Sequence, residues 1–338
     1  MDDDRNIIAA TLLLEKKLNN KYSYGYCPNG YLIDFFNLNL LNIFTNELKK
    51  YLKKKNFIYV HLNPKIDYQI FSNKFILLEN NSKVINDLKK LGYQFINNTS
   101  KYELILNSND INKTYNNFKR TLRRDIKKSL EQGITVHKCN DQELDKCFEY
   151  INDNNYSRNL YNYFQTNHNK VEIYYTKINP EIYINNYRYL LKIENEKNNM
   201  FNKKLQNRNI KKTNKLINDK MISDKLLVKY SNEIKNATDI YTKYPNGSIV
   251  SVCAVMVSDN EVIFLSEGHN KDFSNIKTIP ILKWEIIKKY LNLGYNKFRI
   301  KKIDSLDNSK YILSQGFNAN IIESNNEFDL VINEMLYK

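Results

Sequence analysis

Apolar residues recur at strand or helix spacing along most of this chain. The 3.6-residue spacing of leucine, isoleucine and phenylalanine predicts a helix over residues 38–54, and an apolar run predicts a strand over 57–62. A helix pair is predicted over 110–132, ended by Gly133. Further strands are predicted at 7–14, 22–26, 102–106, 134–137, 248–257, 261–265, 297–303 and 328–332, and further helices at 84–91 and 279–293. Strands and helices therefore interleave, which indicates a mixed α/β protein.

One long segment departs from this pattern, because no glycine or proline occurs between Pro180 and Pro245. Apolar residues fall at helical spacing on both sides of a polar break at 208–214, so we predict two helices that fold back as an antiparallel arm over 181–237. Residues 197–220 carry eight basic side chains against one acidic one. Such an arm suits a large anion such as nucleic acid. The alternative is a solvated arm that its lysines keep soluble.

Composition narrows the function classes. The chain has 338 residues, enough for two domains, and a formal charge of +15, which favours an anionic partner. Its four cysteines and four histidines are widely scattered, which fits a reducing cytoplasm and argues against a metal site. The sequence contains neither an apolar run long enough to cross a bilayer nor an N-terminal signal-peptide pattern, so we expect a cytoplasmic protein.

Several short segments resemble, in order, those of one known family. Residues 26–35 (YCPNGYLIDF) resemble the Y-x-P-R-G-P-x-x-D-Y segment of the FemABX peptidyltransferases. Residues 60–64 (VHLNP) are similar to the family's R-I-D-P, 88–95 to its L-x-x-L-G-Y, and 123–133 to R-R-N-I-x-K-A-x-x-x-G. Trp284-Glu285, 316–319 (GFNA) and 327–333 (EFDLVIN) resemble its closing segments. Together these segments occur in the family's order and span nearly the whole chain.

The resemblance implies an α/β (α+β) fold of two N-acetyltransferase-like domains with an inserted antiparallel coiled-coil arm. The first domain would comprise residues 1–106 plus 318–338, and the second 107–317 with the arm at 181–237. It implies transfer of glycine, alanine or serine from aminoacyl-tRNA to a lipid-linked or nucleotide-linked peptidoglycan precursor. No cofactor is expected beyond the aminoacyl-tRNA co-substrate. A paralogue or second copy of the chain, and peripheral membrane contact, are further implied partners. The Gly-rich loop that would bind acetyl-CoA is missing from the sequence, which disfavours acyl-CoA chemistry.

The resemblance also implies site residues. Lys170 and Tyr174 match a family segment in which an arginine four residues before a tyrosine contacts the precursor, and on one helix they would face the same way. Arg158 resembles another such arginine. The alternatives are that Tyr174 is a core aromatic and that Arg158 is an exposed helix charge. A second anion patch would comprise Arg123, Arg124 and Lys128, unless these form only a solvated face, and the tRNA-binding residues of the arm would be Lys203, Lys204, Lys211 and Lys212.

Some positions depart from the family pattern. Ser314 stands where members carry a lysine that stabilises developing charge, and Asn29 replaces the arginine of P-R-G. A strand glycine is replaced by Lys302, and the family's usual N-terminal residues have no counterpart before Met1. Lys301 or Lys302 is the candidate for supplying the missing charge. A catalytically silent family member, acting as a tRNA-binding or heteromeric partner of an active paralogue, is therefore the second hypothesis.

Overall fold

The computed structural model describes residues 6–64, 66–97, 101–151, 154–164, 170–206, 213–258, 261–303, 315–324 and 327–337. The chain divides into two compact units. Unit 1 joins Met1–Leu106 to Ile300–Lys338, and unit 2 is the continuous segment Asn107–Arg299. The secondary-structure elements are numbered along the whole chain.

The first part of the chain forms β1 (Leu14–Lys17), β2 (Ser23–Cys27), α1 (Leu38–Lys54), β3 (Phe57–Leu62), β4 (Asp67–Phe71), β5 (Leu77–Asn80), α2 (Ser82–Lys90), β6 (Tyr93–Asn97) and β7 (Lys101–Asn107). The middle forms α3 (Ile111–Asn117), α4 (Arg120–Glu131), β8 (Ile134–Lys138), α5 (Leu144–Phe148), α6 (Asn154–Phe164), β9 (Lys170–Ile178), α7 (Pro180–Gln206) and α8 (Thr213–Lys243). The last part forms β10 (Ser248–Val257), β11 (Val262–His269), α9 (Ile279–Asn292), β12 (Lys297–Ile303), β13 (Asn320–Ser324) and β14 (Glu327–Val331).

Unit 1 contains a five-stranded sheet in the order β1-β2-β3-β14-β6. Strands β2 and β3 are parallel because α1 connects them, and the other neighbours are antiparallel. The apolar sides of α1 and α2 supply Leu41, Leu52 and Leu88 to a core shared with Val60 and Leu330 of the sheet. The remaining strands of unit 1 follow in the order β5-β4-β13-β7, all antiparallel.

Unit 2 is built on the strand order β12-β11-β10-β9-β8. Strands β11 and β12 are parallel, since the chain crosses through α9 between them, and β8 to β11 are antiparallel. Strand β10 is buried at nearly every position, as expected of a strand in the middle of a covered sheet. Helices α4 and α9 pack on each other and each contacts β8. These contacts bring α4, α9 and the edge strand β8 together.

The helices α7 and α8 pack against each other in unit 2. Tyr187 meets Tyr230 with ring centroids 5.8 Å apart, and Asn198 Nδ2 donates to Ser223 Oγ at 3.1 Å. Positions later in α7 thus meet positions earlier in α8, so the pair is antiparallel. Helix α8 ends at Lys243, beyond the predicted residue 237, because the segment between Thr213 and Pro245 contains no glycine or proline that would end it earlier. The coiled-coil geometry of this pair stays a prediction.

The strand predicted over residues 7–14 is largely wrong. Residues 7–13 form only a single bridge, between Ala10 and Leu32, and β1 begins at Leu14. An apolar run becomes a strand only where a neighbour offers a continuous ladder of hydrogen bonds, and here Ile7 and Leu12 are exposed. None of the helices in the described part of the chain combines the length and hydropathy needed to cross a membrane.

Candidate functional site

A cleft of ≈ 520 Å³ in unit 2 is bordered by α4, β8, β9 and α9. One wall is the last turn of α4 with the edge strand β8, and the other is the face of α9 that carries Glu285 and Lys289. Tyr174 of β9, a residue singled out from the sequence, lies in its lining. The complete lining is Leu130, Ile134, Thr135, Val136, His137, Lys138, Tyr174, Ile281, Glu285, Ile286 and Lys289.

Lys170 and Tyr174 lie on strand β9, so the helix assumed for them is wrong. The sequence VEIYYTKI is rich in β-branched and aromatic residues, and β9 is paired on both sides, with β8 and β10. Side chains on a strand alternate with a period of two, so Lys170, Glu172 and Tyr174 still share one side. Lys170 is exposed, whereas Tyr174 is buried. At about 3.4 Å per residue, the two positions are about 14 Å apart along the strand.

The carboxylate of Glu172 is the centre of a polar cluster beside the cleft. Its Oε1 accepts from Lys138 Nζ at 2.7 Å. Its Oε2 accepts from the hydroxyls of Tyr174 and Tyr290, each at 2.5 Å, and lies 3.5 Å from Lys289 Nζ. Burial alone would raise the pKa of Glu172, but these donors and charges outweigh it and lower that pKa to about 2. The group is therefore a carboxylate at neutral pH.

The two tyrosine hydroxyls connect this carboxylate to α9. Tyr174 and Tyr290 hydroxyl oxygens are 3.2 Å apart, and Lys289 Nζ donates to the Tyr174 hydroxyl. The Lys289 ammonium also lies 4.9 Å from the centre of the Tyr174 ring. Burial and the hydrogen bond to Glu172 raise the pKa of Tyr174, which keeps its hydroxyl protonated and donating.

This cluster carries two lysine ammonium groups against one carboxylate, a net positive charge. The Lys138 and Lys289 side chains are 53% and 41% exposed, so each can also reach a ligand in the cleft. A lysine ammonium binds carboxylate or phosphate oxygens as a mobile point charge. The arrangement is therefore suited to holding an anionic ligand against a rigid sheet. Within the described ranges, His, Cys, Asp and Glu side chains form no group that could hold a metal ion.

Arg158, predicted to contact the precursor, lies on α6. Its Nη1 donates to Asp145 Oδ1 at 2.7 Å, and its guanidinium stacks 4.6 Å from the ring centre of Phe148. The side chain is 40% exposed and Asp145 is fully at the surface, so the pair is a surface ion pair of small energetic weight. Arg158 is not one of the residues that line the cleft.

The predicted anion patch on α4 is divided. Arg124 is exposed and Arg123 is half-buried, with an Nε that has no hydrogen-bond partner among the described residues. Lys128 is paired with Glu233 Oε1 of α8 at 3.0 Å, next to a second cavity of ≈ 380 Å³. Lys128 and Glu233 balance each other one to one, so the net positive charge of this patch comes from the two arginines.

The other predicted residues lie elsewhere. Lys302 belongs to unit 1, is 80% exposed and is 3.9 Å from Glu103 Oε1, while Lys301 beside it is half-buried. Lys203 and Lys204 are exposed in the last turn of α7. Lys211, Lys212 and Ser314 lie outside the described residues.

Sequence reasoning missed most of the cluster: Lys138, Glu172, Lys289 and Tyr290. They come from three separate elements, and no local spacing connects them. One signal was available in the first half of β9, where Lys170, Glu172 and Tyr174 place polar groups at every second position, alternating with the apolar residues Val171 and Ile173. That alternation indicates a polar face on a buried strand.

Comparisons with known proteins define the family. The model of the FemAB family matches residues 1–338. The chain belongs to the FemAB family. The aminoacyltransferase FemA of Staphylococcus epidermidis is 23% identical over 369 residues, covering 99% of this chain and 86% of that protein. FemA of Staphylococcus aureus is likewise 23% identical, over 364 residues, with the same coverage.

The FemX crystal structure superimposes with a TM-score of 0.70 at 17% identity, covering 100% of this chain and 88% of the FemX chain. At this identity the similarity establishes the fold. The predicted family and the predicted mixed α/β fold are therefore both confirmed.

Proposed function

We propose that this FemAB protein transfers an amino acid, glycine, alanine or serine, from aminoacyl-tRNA to the stem peptide of a peptidoglycan precursor. The precursor would be lipid-linked or nucleotide-linked, and the reaction would take place in the cytoplasm at the inner membrane face. The observation that carries this proposal is the family match over residues 1–338, together with FemA relatives aligned over 99% of the chain.

The chemistry asks little of the protein. An aminoacyl-tRNA ester is already an activated acyl donor, so neither a protein nucleophile nor a metal is needed. The acceptor amine must lose a proton, and the oxyanion of the tetrahedral intermediate needs hydrogen-bond donors. Holding ester and amine in contact can by itself lower the barrier by about 7–11 kcal/mol. The main requirement on the protein is therefore a set of side chains that bind the anionic substrates.

The cleft of unit 2 supports the proposal as a place to hold such a substrate. Lys138 and Lys289 carry positive charge to its lining, and Glu172 fixes both of them in place through contacts at 2.7 and 3.5 Å. Lys170, on the same side of β9, would extend the positive charge beyond the cleft. We assign these groups to the phosphates or carboxylates of the precursor.

A catalytically silent role is the second candidate. The observation that favours it is the presence of Ser314 and Asn29 at positions where the family segments have a lysine and an arginine. Two basic side chains are therefore missing at these positions. Such a protein would bind tRNA or an active paralogue without transferring the amino acid.

The deciding experiment incubates the purified chain with glycyl-, alanyl- or seryl-tRNA and lipid-linked or nucleotide-linked precursor. Mass spectrometry of the precursor should then show the mass of one added residue with one of the three tRNAs. Uncharged tRNA is the control for the donor. Lys289→Gln should reduce the rate, while Lys277→Gln, at an exposed lysine with only a 3.9 Å partner, should leave it unchanged. Binding of tRNA with no product under every combination would establish the silent role.

A further inference from the structure

Two cysteine thiols approach each other next to the candidate site. Cys139 directly follows β8, Cys147 lies in α5, and their sulfur atoms are 3.3 Å apart. Neither is in a disulfide. Cys147 is fully buried in the apolar cluster formed with Val171 and Ile173, whereas Cys139 is partly open to solvent. The proposed reaction does not use this pair.

The backbone holds the two cysteines in this position. The N–H of Cys139 donates to the Ile173 carbonyl at 2.8 Å, which fixes it beside β9, and the N–H of Cys147 donates to the Glu143 carbonyl at 2.9 Å. Asn140 Oδ1 accepts from the backbone N–H of Glu143 at 3.1 Å and so closes the intervening turn. A disulfide has an S–S length of about 2.04 Å, so the sulfur atoms need to close by roughly 1.3 Å. Side-chain rotation can supply a movement of that size.

The two thiols are also chemically unequal. The hydrogen bond between the two thiols lowers the pKa of Cys139, which is the more accessible of the two. The same hydrogen bond, followed by burial, raises the pKa of Cys147. A thiolate is the form that reacts with oxidants, so Cys139 is the residue that reacts first.

We propose that Cys139 and Cys147 form a reversible disulfide when the protein meets a peroxide. The Cys139 thiolate attacks one peroxide oxygen, the O–O bond breaks, and Cys139 becomes a sulfenic acid while the other oxygen leaves as water or an alcohol. The Cys147 sulfur then attacks the Cys139 sulfur. The S–S bond forms as the sulfenic hydroxyl leaves, and the Cys147 proton completes a water molecule. The two thiols lose two electrons, which the peroxide accepts.

The bond would act on the candidate site through one residue. Lys138 immediately precedes Cys139 and donates to Glu172 in the polar cluster. The nine-residue segment closed by the bond, 139–147, also holds Glu143, whose Oε1 accepts from the Tyr175 hydroxyl at 2.6 Å. A disulfide at Cys139 therefore constrains the end of β8 that carries Lys138, one of the two ammonium groups of the cleft.

The test is to treat the intact protein with hydrogen peroxide, block the remaining thiols with iodoacetamide under denaturing conditions, and map the peptides. The expected result is that two of the four cysteines escape alkylation, that one peptide pair is linked through Cys139 and Cys147, and that dithiothreitol restores both thiols. Cys139→Ser and Cys147→Ala should each abolish the link. Cys253→Ser, at a buried cysteine of β10, should leave it intact.

Other outcomes would overturn the proposal. These are alkylation of all four cysteines, a link that involves Cys27 or Cys253, or Cys139 carried to sulfinic acid without any link. Peptide mapping of the parent protein, without any substitution, distinguishes these outcomes. The result therefore does not depend on whether the variants fold.

Discussion

Replacing Glu172 by glutamine should destabilise unit 2 strongly at neutral pH and hardly at all in acid. The carboxylate accepts from Lys138, Tyr174 and Tyr290 and lies beside Lys289, and its side chain is only 13% exposed. Glutamine has nearly the same shape, but it is neutral, and its amide nitrogen would face donors that need an acceptor. The substitution therefore removes the charge without opening a cavity.

The magnitude follows from the pKa. In the folded protein the pKa of Glu172 is about 2, against an ordinary value of 4.5. At about 1.36 kcal/mol per pKa unit, interactions of the ionised group favour folding by roughly 3 kcal/mol. Because the folded pKa is the lower one, this stability is fully present above pH 4.5 and is lost as the pH falls toward 2. Glutamine retains one acceptor oxygen, so we expect a loss of about 2–3 kcal/mol at pH 7.

The assay can be confined to unit 2, since the chain has one tryptophan and it lies there. Trp284 is buried in α9, with its ring 5.2 Å from that of Phe118, so its fluorescence will change when α9 leaves the core. Urea unfolding of the parent, Glu172→Gln and Glu285→Gln would be followed at several pH values between 7 and about 2.5. Glu285 is the matched control, because its pair with Lys288 is partly exposed and contributes less than about 1 kcal/mol.

Two results would refute this reasoning. One is a Glu172→Gln loss no larger than that of Glu285→Gln at pH 7. The other is a loss that stays constant down to pH 2.5, which would indicate that the carboxylate charge is not what the cluster stabilises.

Three further predictions concern other parts of the chain. Gly247→Ala should destabilise the protein by about 2 kcal/mol more than Gly294→Ala in the same fluorescence assay. Both glycines have positive φ, but a Cβ at Gly247 would lie 2.1 Å from the Ile178 carbonyl oxygen while Gly294 faces open space. Lys170→Ala should weaken precursor binding by roughly 1.5–3 kcal/mol, measured by calorimetry, and an unchanged affinity would remove Lys170 from the site. Changing four arm lysines to glutamine, namely Lys203, Lys204, Lys211 and Lys212, should weaken the salt dependence of tRNA binding. The slope of log affinity against log salt concentration should fall by about three units, at about 0.7 per phosphate contact. A slope equal to that of the parent protein would identify these lysines as a solvated face.

The sequence predicted helices better than strands in this chain, for a physical reason. The bounds of α1 at Leu38–Lys54 agree with the prediction, because a helix is stabilised by contacts within one segment. Strands depend on partners far away in the chain. The apolar run at 7–13 lacks a continuous partner, whereas β9, whose first residues the resemblance placed on a helix, has partners on both sides.

The candidate site shows the same limit. A resemblance pointed to Tyr174, but Glu172, two residues away, is the group that organises the cluster. Its donors come from β8 and α9, which only the tertiary fold brings to β9. Arg158 and Lys128 illustrate the converse, since each has a carboxylate partner that no motif reveals. Sequence spacing identifies charges, and the fold decides which of them are already neutralised.

The division of unit 1 between the two ends of the chain has a consequence for biosynthesis. Strand β14 lies inside its five-stranded sheet, between β3 and β6, and β13 lies between β4 and β7. A ribosome makes these two strands after the whole of unit 2. Unit 2 can therefore fold while synthesis continues, whereas β3, β4, β6 and β7 must wait with unpaired edges that invite association with other chains. Nascent unit 1 is thus the part of this protein that most needs protection by a chaperone.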